Sequence, residues 1–287
     1  MNAVVADAAA ANATAATANA NAADLLVCDQ LGVGVPGRPL LATVHTQFLP
    51  GRVTAILGPN GAGKSTLLDM LSGQRAPRSG QVRLGGQPVS GASTQALARQ
   101  RAVLPQDTAV AFDFTVQEVV EMGRFPHRQQ PSRHEARIVT EAMQATGVAH
   151  LARRSINTLS GGERARSHLA RALAQIWEPL PDGATRWLLL DEPTAALDLA
   201  HQHHTLALVR RWAVEQGVGV VAVLHDLNLA LRYAHDSLLL APGLAGPRSV
   251  HATAHLLTPA TIAQVWGVHS TPVLAADGVM QYLVAAQ

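Results

Sequence analysis

Cysteine is nearly absent: Cys28 stands alone in 287 residues, which excludes an internal disulfide and fits a reducing compartment. Its setting in the strand-like Leu25-Leu-Val-Cys28 reads as a buried structural thiol. Blocks of like charge are absent too, and a formal net charge of +2 leaves no broad surface for a polyanion. Nucleic acid is therefore not an expected partner. Long apolar runs are also lacking. The longest, such as Val218 to Leu224, are strand-sized and fall short of the ~20 residues of a membrane span. The expectation is a soluble or peripheral protein with no direct membrane insertion. Residues 1–23 hold no basic residue and no compact apolar segment, which argues against a secretory signal. They are almost entirely Ala, Asn, Thr and Val, and read as a disordered tail with little apolar bulk to offset chain entropy. The rest has an ordinary globular balance, with 48% hydrophobic and 15% charged residues. Its length suits one large domain or two closely joined units.

Against that background one stretch organises the chain. Gly58, Pro59, Asn60, Gly61, Ala62, Gly63, Lys64 and Ser65 form a G-x-x-x-x-G-K-S loop. The preceding Val53-Thr-Ala-Ile-Leu57 is short, apolar and rich in β-branched residues, as a buried strand is. The following Thr66-Leu-Leu-Asp-Met-Leu71 has good helix formers and no breaker before Gly73. Glycines there let successive backbone N–H groups turn toward one anion, and the helix start adds partial positive charge. Lys64 would reach the outer phosphates and the Ser65 hydroxyl would ligate Mg²⁺.

From Leu25 to Leu57 the pattern is β-like. Leu40, Ala42, Val44, Thr46 and Phe48 fall on one face, and Thr43, His45 and Gln47 on the other, with His45 read as a solvated strand residue. Gln81 to Leu84 and Arg101 to Leu104 read as strands around a helix near Thr94 to Gln100. Helical signals then dominate to about Trp177, over Thr115 to Met122, Ser132 to Thr146 and Ser160 to Ile176. Strands return at Trp187 to Leu190 and Val218 to Leu224, alternating with helices at about Asp198 to Glu215 and Leu227 to Tyr233. That alternation predicts a parallel α/β sheet with a helical insert. There is no internal repeat and one P-loop.

Trp187-Leu-Leu-Leu-Asp191-Glu192 is an apolar strand ending in two acids. A rigid strand can deliver Asp191 toward Mg²⁺ and place Glu192 to polarise a water that attacks the γ-phosphate. Taken alone, Ser160 and Glu163 of Leu159-Ser-Gly-Gly-Glu163 form a capping box. The same physics makes Ser160 with the Gly161 and Gly162 amides a second anion site.

Together these motifs resemble the ATP-binding subunit of an ABC transporter, across nearly everything after the tail. Beside the Walker A loop, which runs into Thr66, LSGGE resembles the family signature and LLLDE its Walker B strand. By that resemblance Gln106 is the Q-loop glutamine, which senses Mg²⁺ and the membrane partner. Ala196-Leu197-Asp198 is the D-loop, and His225 is the switch histidine that contacts the γ-phosphate. The implied fold has a RecA-like parallel-sheet core, an N-terminal antiparallel β subdomain and a helical subdomain. It would form a nucleotide-binding domain over residues 24–284, with the helical part at about 107–178. The implied cofactors are ATP and Mg²⁺, with Ser65, Gln106 and Asp191 at the metal and Glu192, His225 and Gln106 catalytic. One position departs: the family stacks adenine on an aromatic residue near Leu31-Gly-Val-Gly34, where this chain has Val33. Adenine would then rest on aliphatic surface.

The ordering of motifs also resembles the importer branch for iron chelates, haem and cobalamin. Three stretches look most like its haem (hemin) importers: Glu121 to His127, Trp177 to Gly183 and Ala196 to His204. That implies a homodimer on the cytoplasmic face of the bacterial inner membrane, with two permease subunits and a periplasmic haem-binding protein. Siderophore or cobalamin import is the neighbouring alternative. Non-transport members carry two cassettes, coiled coils or zinc elements, whereas this chain has one cassette, no heptad run and no CxxC. A regulator without hydrolysis would not need both Glu192 and His225. His201, His203 and His204 invite a metal or haem site, but helical geometry aligns only His201 with His204, so a polar helix face is expected. Arg124, Phe125 and His127 fall where the family docks its permease.

Overall fold

The computed structural model describes residues 24–286 except 35, 36, 38, 107–111, 243 and 245. The tail expected over residues 1–23 lies outside them. Three strands come first: β1 (Leu26–Val33), β2 (Ala42–Phe48) and β3 (Val53–Leu57). Helix α1 (Lys64–Ser72), β4 (Gln81–Leu84), β5 (Gln87–Pro88), α2 (Thr94–Gln100) and β6 (Arg101–Leu104) follow. Next come α3 (Val116–Glu121), α4 (Glu135–Ala145) and α5 (Gly161–Gln175). Then β7 (Trp187–Asp191), α6 (Leu199–Gln216), β8 (Gly219–Val223), α7 (Leu227–Tyr233) and β9 (Asp236–Leu239) rebuild the sheet. The described chain ends with β10 (Val250–Ala252), α8 (Thr253–Leu256), α9 (Pro259–Trp266), β11 (Val268–Leu274) and β12 (Met280–Ala286).

The main sheet runs β10-β9-β3-β8-β7-β6, parallel throughout except for the antiparallel edge strand β10. Every residue of β3, β7 and β8 is buried, as expected for parallel strands covered on both faces. Alternation sorts their side chains. Val53, Ala55 and Leu57 enter one core with Leu169 and Leu173 of α5, Leu206 and Val209 of α6, and Leu229 of α7. Ile56, Leu189 and Val221 enter the other, with Leu67 and Leu71 of α1 and the antiparallel sheet. That second sheet has the order β2-β1-β4-β5. It is tied to the first where the His45 N–H donates to the Arg248 carbonyl at 2.9 Å and the Arg248 N–H to the Thr43 carbonyl at 2.7 Å.

A two-pronged ion pair fixes β3 against β9: Arg52 Nε donates to Asp236 Oδ2 at 2.6 Å and Nη2 to Oδ1 at 2.8 Å. Cys28 is fully buried, and His45 is exposed beside Asp29 at 3.4 Å. Leu40, expected on the inner face of β2, instead precedes the strand and is exposed.

The helical elements carry a third core, in which Val116 and Val120 of α3 meet Ile138 and Met143 of α4 and Ala170 of α5. Helices α3 and α5 each start with a capping box, Thr115 with Glu118 and Ser160 with Glu163. Arg124 is structural. Its guanidinium is buried, holding Glu135 at 2.8 and 3.0 Å and the Ala174 carbonyl at 2.7 Å. His127 Nε2 lies 2.8 Å from the Gln175 carbonyl oxygen. Of the three expected docking residues only Phe125, 62% exposed, faces outward, under the Arg128 guanidinium at 4.2 Å.

Candidate functional site: a cleft at the ends of three parallel strands

Strands β3, β7 and β8 run parallel, so the residues after each emerge at one end of the sheet. The loop after β3 is the predicted P-loop. Gly58 leaves the strand at φ 148°, where a Cβ would collide with the Leu240 carbonyl. Gly63, at φ 93°, hands the chain into α1. Lys64 is buried and folds back on the loop, donating to the Gly58 carbonyl at 2.9 Å and the Pro59 carbonyl at 3.0 Å. Burial pulls this amine below the ordinary lysine range, against the attraction of Glu192 and Asp191.

Asp191 closes β7 and is buried. Burial raises its carboxyl above the ordinary aspartate range; a hydrogen bond from Ser65 Oγ at 3.2 Å opposes this, whereas Glu192 and Asp69 add to it. Glu192 follows at φ 50°, a left-handed backbone that is uncommon outside glycine. Its two oxygens are both engaged: Oε1 lies 2.6 Å from His225 Nε2, and Oε2 accepts from Gln106 Nε2 at 3.2 Å. Thus residues distant in sequence converge as their motifs predicted.

A cleft of about 650 Å³ joins them, lined by Leu41, Asn60, Gly61, Gly63, Lys64, Ser65, Thr66, Gln106, Glu192 and His225. Ser160, Gly161 and Gly162 do not line it. They sit at the start of α5 against the segment after Glu192, where a Cβ on Gly162 would come 3.2 Å from the Ala196 carbonyl. Ser160 Oγ accepts from the Glu163 N–H at 3.2 Å, and Glu163 Oε2 accepts from the Ser160 N–H at 2.8 Å.

One expectation changes. Val33 cannot support adenine, because it is 0% exposed and packs beneath Gly63, 3.1 Å from where a Cβ would sit. The aliphatic surface in the cleft belongs to Leu41, 44% exposed and 3.0 Å from that same point. The sequence signal for Leu41 is faint, one leucine of a pair beyond a Gly/Pro-rich turn. The histidine cluster divides. His201 Nδ1 lies 2.9 Å from both Asp198 oxygens, whereas His203 Nδ1 meets the Tyr233 hydroxyl at 2.7 Å. Among the described residues no three His, Cys, Asp or Glu side chains are grouped to hold a metal ion.

The model of the ABC transporter family matches residues 41–195, more than half of the chain. The hemin import ATP-binding protein HmuV of Gloeobacter violaceus is 54% identical over 214 residues, 74% of this chain and 77% of that protein. HmuV of Burkholderia pseudomallei is 43% identical over 275 residues, 91% of this chain and all of its own length. Among solved structures, an inward-facing transporter of the metal-chelate type superposes with a TM-score of 0.74 at 27% identity. It covers 91% of this chain and 98% of its own. A dimeric ATP-binding cassette bound to ADP and phosphate superposes at 0.67 with 25% identity, covering 78% of this chain and 97% of its own. Motif order, strand-end geometry and these likenesses agree: the chain belongs to the ABC transporter family.

Proposed function

We propose that this protein is the ATP-hydrolysing, energy-coupling subunit of an import complex whose cargo is hemin. The carrying observation is the cleft in which Lys64, the Ser65–Asp191 pair and the Gln106–Glu192–His225 chain converge. Each member has one task in hydrolysis. The P-loop amides and Lys64 cradle the β- and γ-phosphates, for which Lys64 must leave the Gly58 and Pro59 carbonyls. Glu192 orients the attacking water once His225 and Gln106 release its oxygens. His225 then turns to the γ-phosphate.

Ser65 and Asp191 supply hard oxygen donors side by side, which suits Mg²⁺, and the Gln106 amide can add a third. The ion would neutralise charge on the β- and γ-phosphates. The domain is taken as residues 24–284, with the helical part at about 107–178. Because Ser160, Gly161 and Gly162 stand outside the cleft, they are read as closing over ATP held by a second copy. Two such sites form in a two-fold homodimer. Hydrolysis removes the γ-phosphate bridge and lets the halves part.

Two membrane permease subunits, met by the helical part on the cytoplasmic face of the inner membrane, would use that motion. A periplasmic haem-binding protein would deliver cargo from the far side. No helix among the described residues is long and apolar enough to cross a membrane, so the permease is a separate chain in this reading. The hemin assignment rests on the HmuV relatives, at 43–54% identity over most of the chain. Deleting the gene should abolish growth on haem as sole iron source and leave cobalamin uptake intact. Normal haem use with lost siderophore or cobalamin uptake would reassign the cargo.

A further inference from the structure

The helix that follows His225 is gripped from outside the nucleotide cleft. Strand β8 ends at Val223, and Leu224, His225 and Asp226 link it to α7. Asp226 caps the helix, its Oδ1 accepting the Asn228 N–H at 2.7 Å and the Leu229 N–H at 3.0 Å. Three residues beyond His225, the Asn228 side chain meets strand β12. Its Nδ2 donates to the Tyr282 carbonyl at 3.1 Å, and its Oδ1 accepts the Tyr282 N–H at 2.7 Å. Strands β11 and β12 form a two-stranded sheet of their own. Within it Tyr282 lies opposite Pro272, which has no N–H to give, and both backbone groups of Tyr282 go to Asn228 instead. Tyr282 is itself fixed. It is buried in the main core, and its hydroxyl donates to the Leu257 carbonyl at 2.7 Å. The turn of the same hairpin holds the far end of α7, where Arg232 pairs with Asp277.

We infer that Asn228 is a positioning residue for His225, and that the hairpin of β11 and β12 thereby takes part in hydrolysis. The inference rests on the reading of His225 given above. His225 is exposed on a short link between strand and helix, so its place depends on where α7 begins. The Asp226 cap is local and moves with the helix. Leu229 and Ala230 bury α7 against the core, but apolar burial has no direction and leaves slide and rotation open. The paired bonds of Asn228 do have direction, and they tie the first turn of α7 to a buried point on another element. Without them the start of the helix can shift with its cap intact. His225 would shift with it, away from its 2.6 Å contact with Glu192. A displacement of ~1 Å at a reacting group can cost about 10²-fold in rate.

The test is a double-mutant cycle on the full chain, read by hydrolysis kinetics and by an equilibrium titration with Mg-ATP. Asn228→Ala should lower kcat by about 10- to 100-fold and leave ATP affinity within about twofold. In a His225→Ala background the same substitution should change kcat by no more than about twofold, because no imidazole remains to be positioned. Arg232→Gln loosens the same hairpin at its turn, farther along α7, and should leave kcat within about twofold. An unchanged kcat in Asn228→Ala, equal losses in both backgrounds, or an equal loss from Arg232→Gln overturns the inference and leaves the His225 reading standing. Normal hydrolysis by His225→Ala overturns both. The titration shows that each variant is folded. Should Asn228→Ala fail to bind ATP, Asn228→Asp keeps the acceptor for the Tyr282 N–H and carries the same cycle, with the same outcomes deciding it.

Discussion

His225 Nε2 lies 2.6 Å from Glu192 Oε1, joining the end of one parallel strand to the turn after its neighbour. Gln106 Nε2 donates to the other oxygen at 3.2 Å, so in the proposed mechanism both partners yield as Glu192 takes up its water. His225→Ala should lower kcat by about 10²- to 10⁴-fold, the usual span for a lost group in proton transfer or its positioning. ATP affinity should change little. Single-turnover hydrolysis with an equilibrium binding titration checks both, and a large loss of affinity with normal turnover would contradict the assignment.

Lys64 is the lysine of the cleft, its amine held on the Gly58 and Pro59 carbonyls. Lys64→Ala should weaken ATP binding and slow turnover together, because one charge serves both ground state and transition state. Lys64→Arg should not restore full activity, since a bulky planar guanidinium does not reproduce the compact ammonium that bonds the Gly58 and Pro59 carbonyls. An unchanged ATPase rate in Lys64→Ala would remove the P-loop from the mechanism.

Cys28 is fully buried in β1, and burial pushes its thiol far above the ordinary range. A thiol reagent at pH 8 should leave the native chain unlabelled and label one site per chain after denaturation. Labelling of the native protein within seconds would mean that β1 is not held in the antiparallel sheet.

His235 accepts a hydrogen bond from the Val53 N–H on Nδ1 at 2.9 Å. Burial, helped by Arg210 and Arg52 and opposed by Asp236, lowers its pKa to about 4. The unfolded chain therefore binds this proton more readily than the native one between about pH 6.5 and pH 4. Stability from this site is intact above pH 6.5 and is lost as pH falls toward 4. The melting temperature should drop across that window, and His235→Gln should flatten the drop. Equal slopes in both proteins would exclude His235 as the cause.

The convergence of the candidate site residues was legible because phosphate chemistry demands fixed residue types at fixed places. Gly58 to Ser65, Asp191 with Glu192, and His225 each end or follow a buried apolar strand, and such strands advertise themselves. Leu41 was not legible as a cleft residue. Whether Val33 or Leu41 faces the nucleotide depends on a bulge in β1 between Cys28 and Leu31, where Gln30 adopts φ 45°. Strand β9 was missed because it opens on a charged residue, Asp236, whose partner Arg52 lies 184 residues earlier. Arg124 looked like a docking residue because nothing local announces the half-buried Glu135 as its partner.

The most direct test of the two-copy mechanism is the mass of Glu192→Gln in solution, by size-exclusion chromatography with light scattering, with and without saturating Mg-ATP. That substitution keeps the shape of the side chain and removes the carboxylate that orients water, so ATP should bind and stay. The variant should elute as a monomer without nucleotide and as a dimer with it. Adding Ser160→Arg, which places a bulky cation at the second anion site, should abolish the dimer. Strictly monomeric elution of Glu192→Gln under saturating ATP, with Ser160→Arg alone hydrolysing ATP normally, would contradict the shared site.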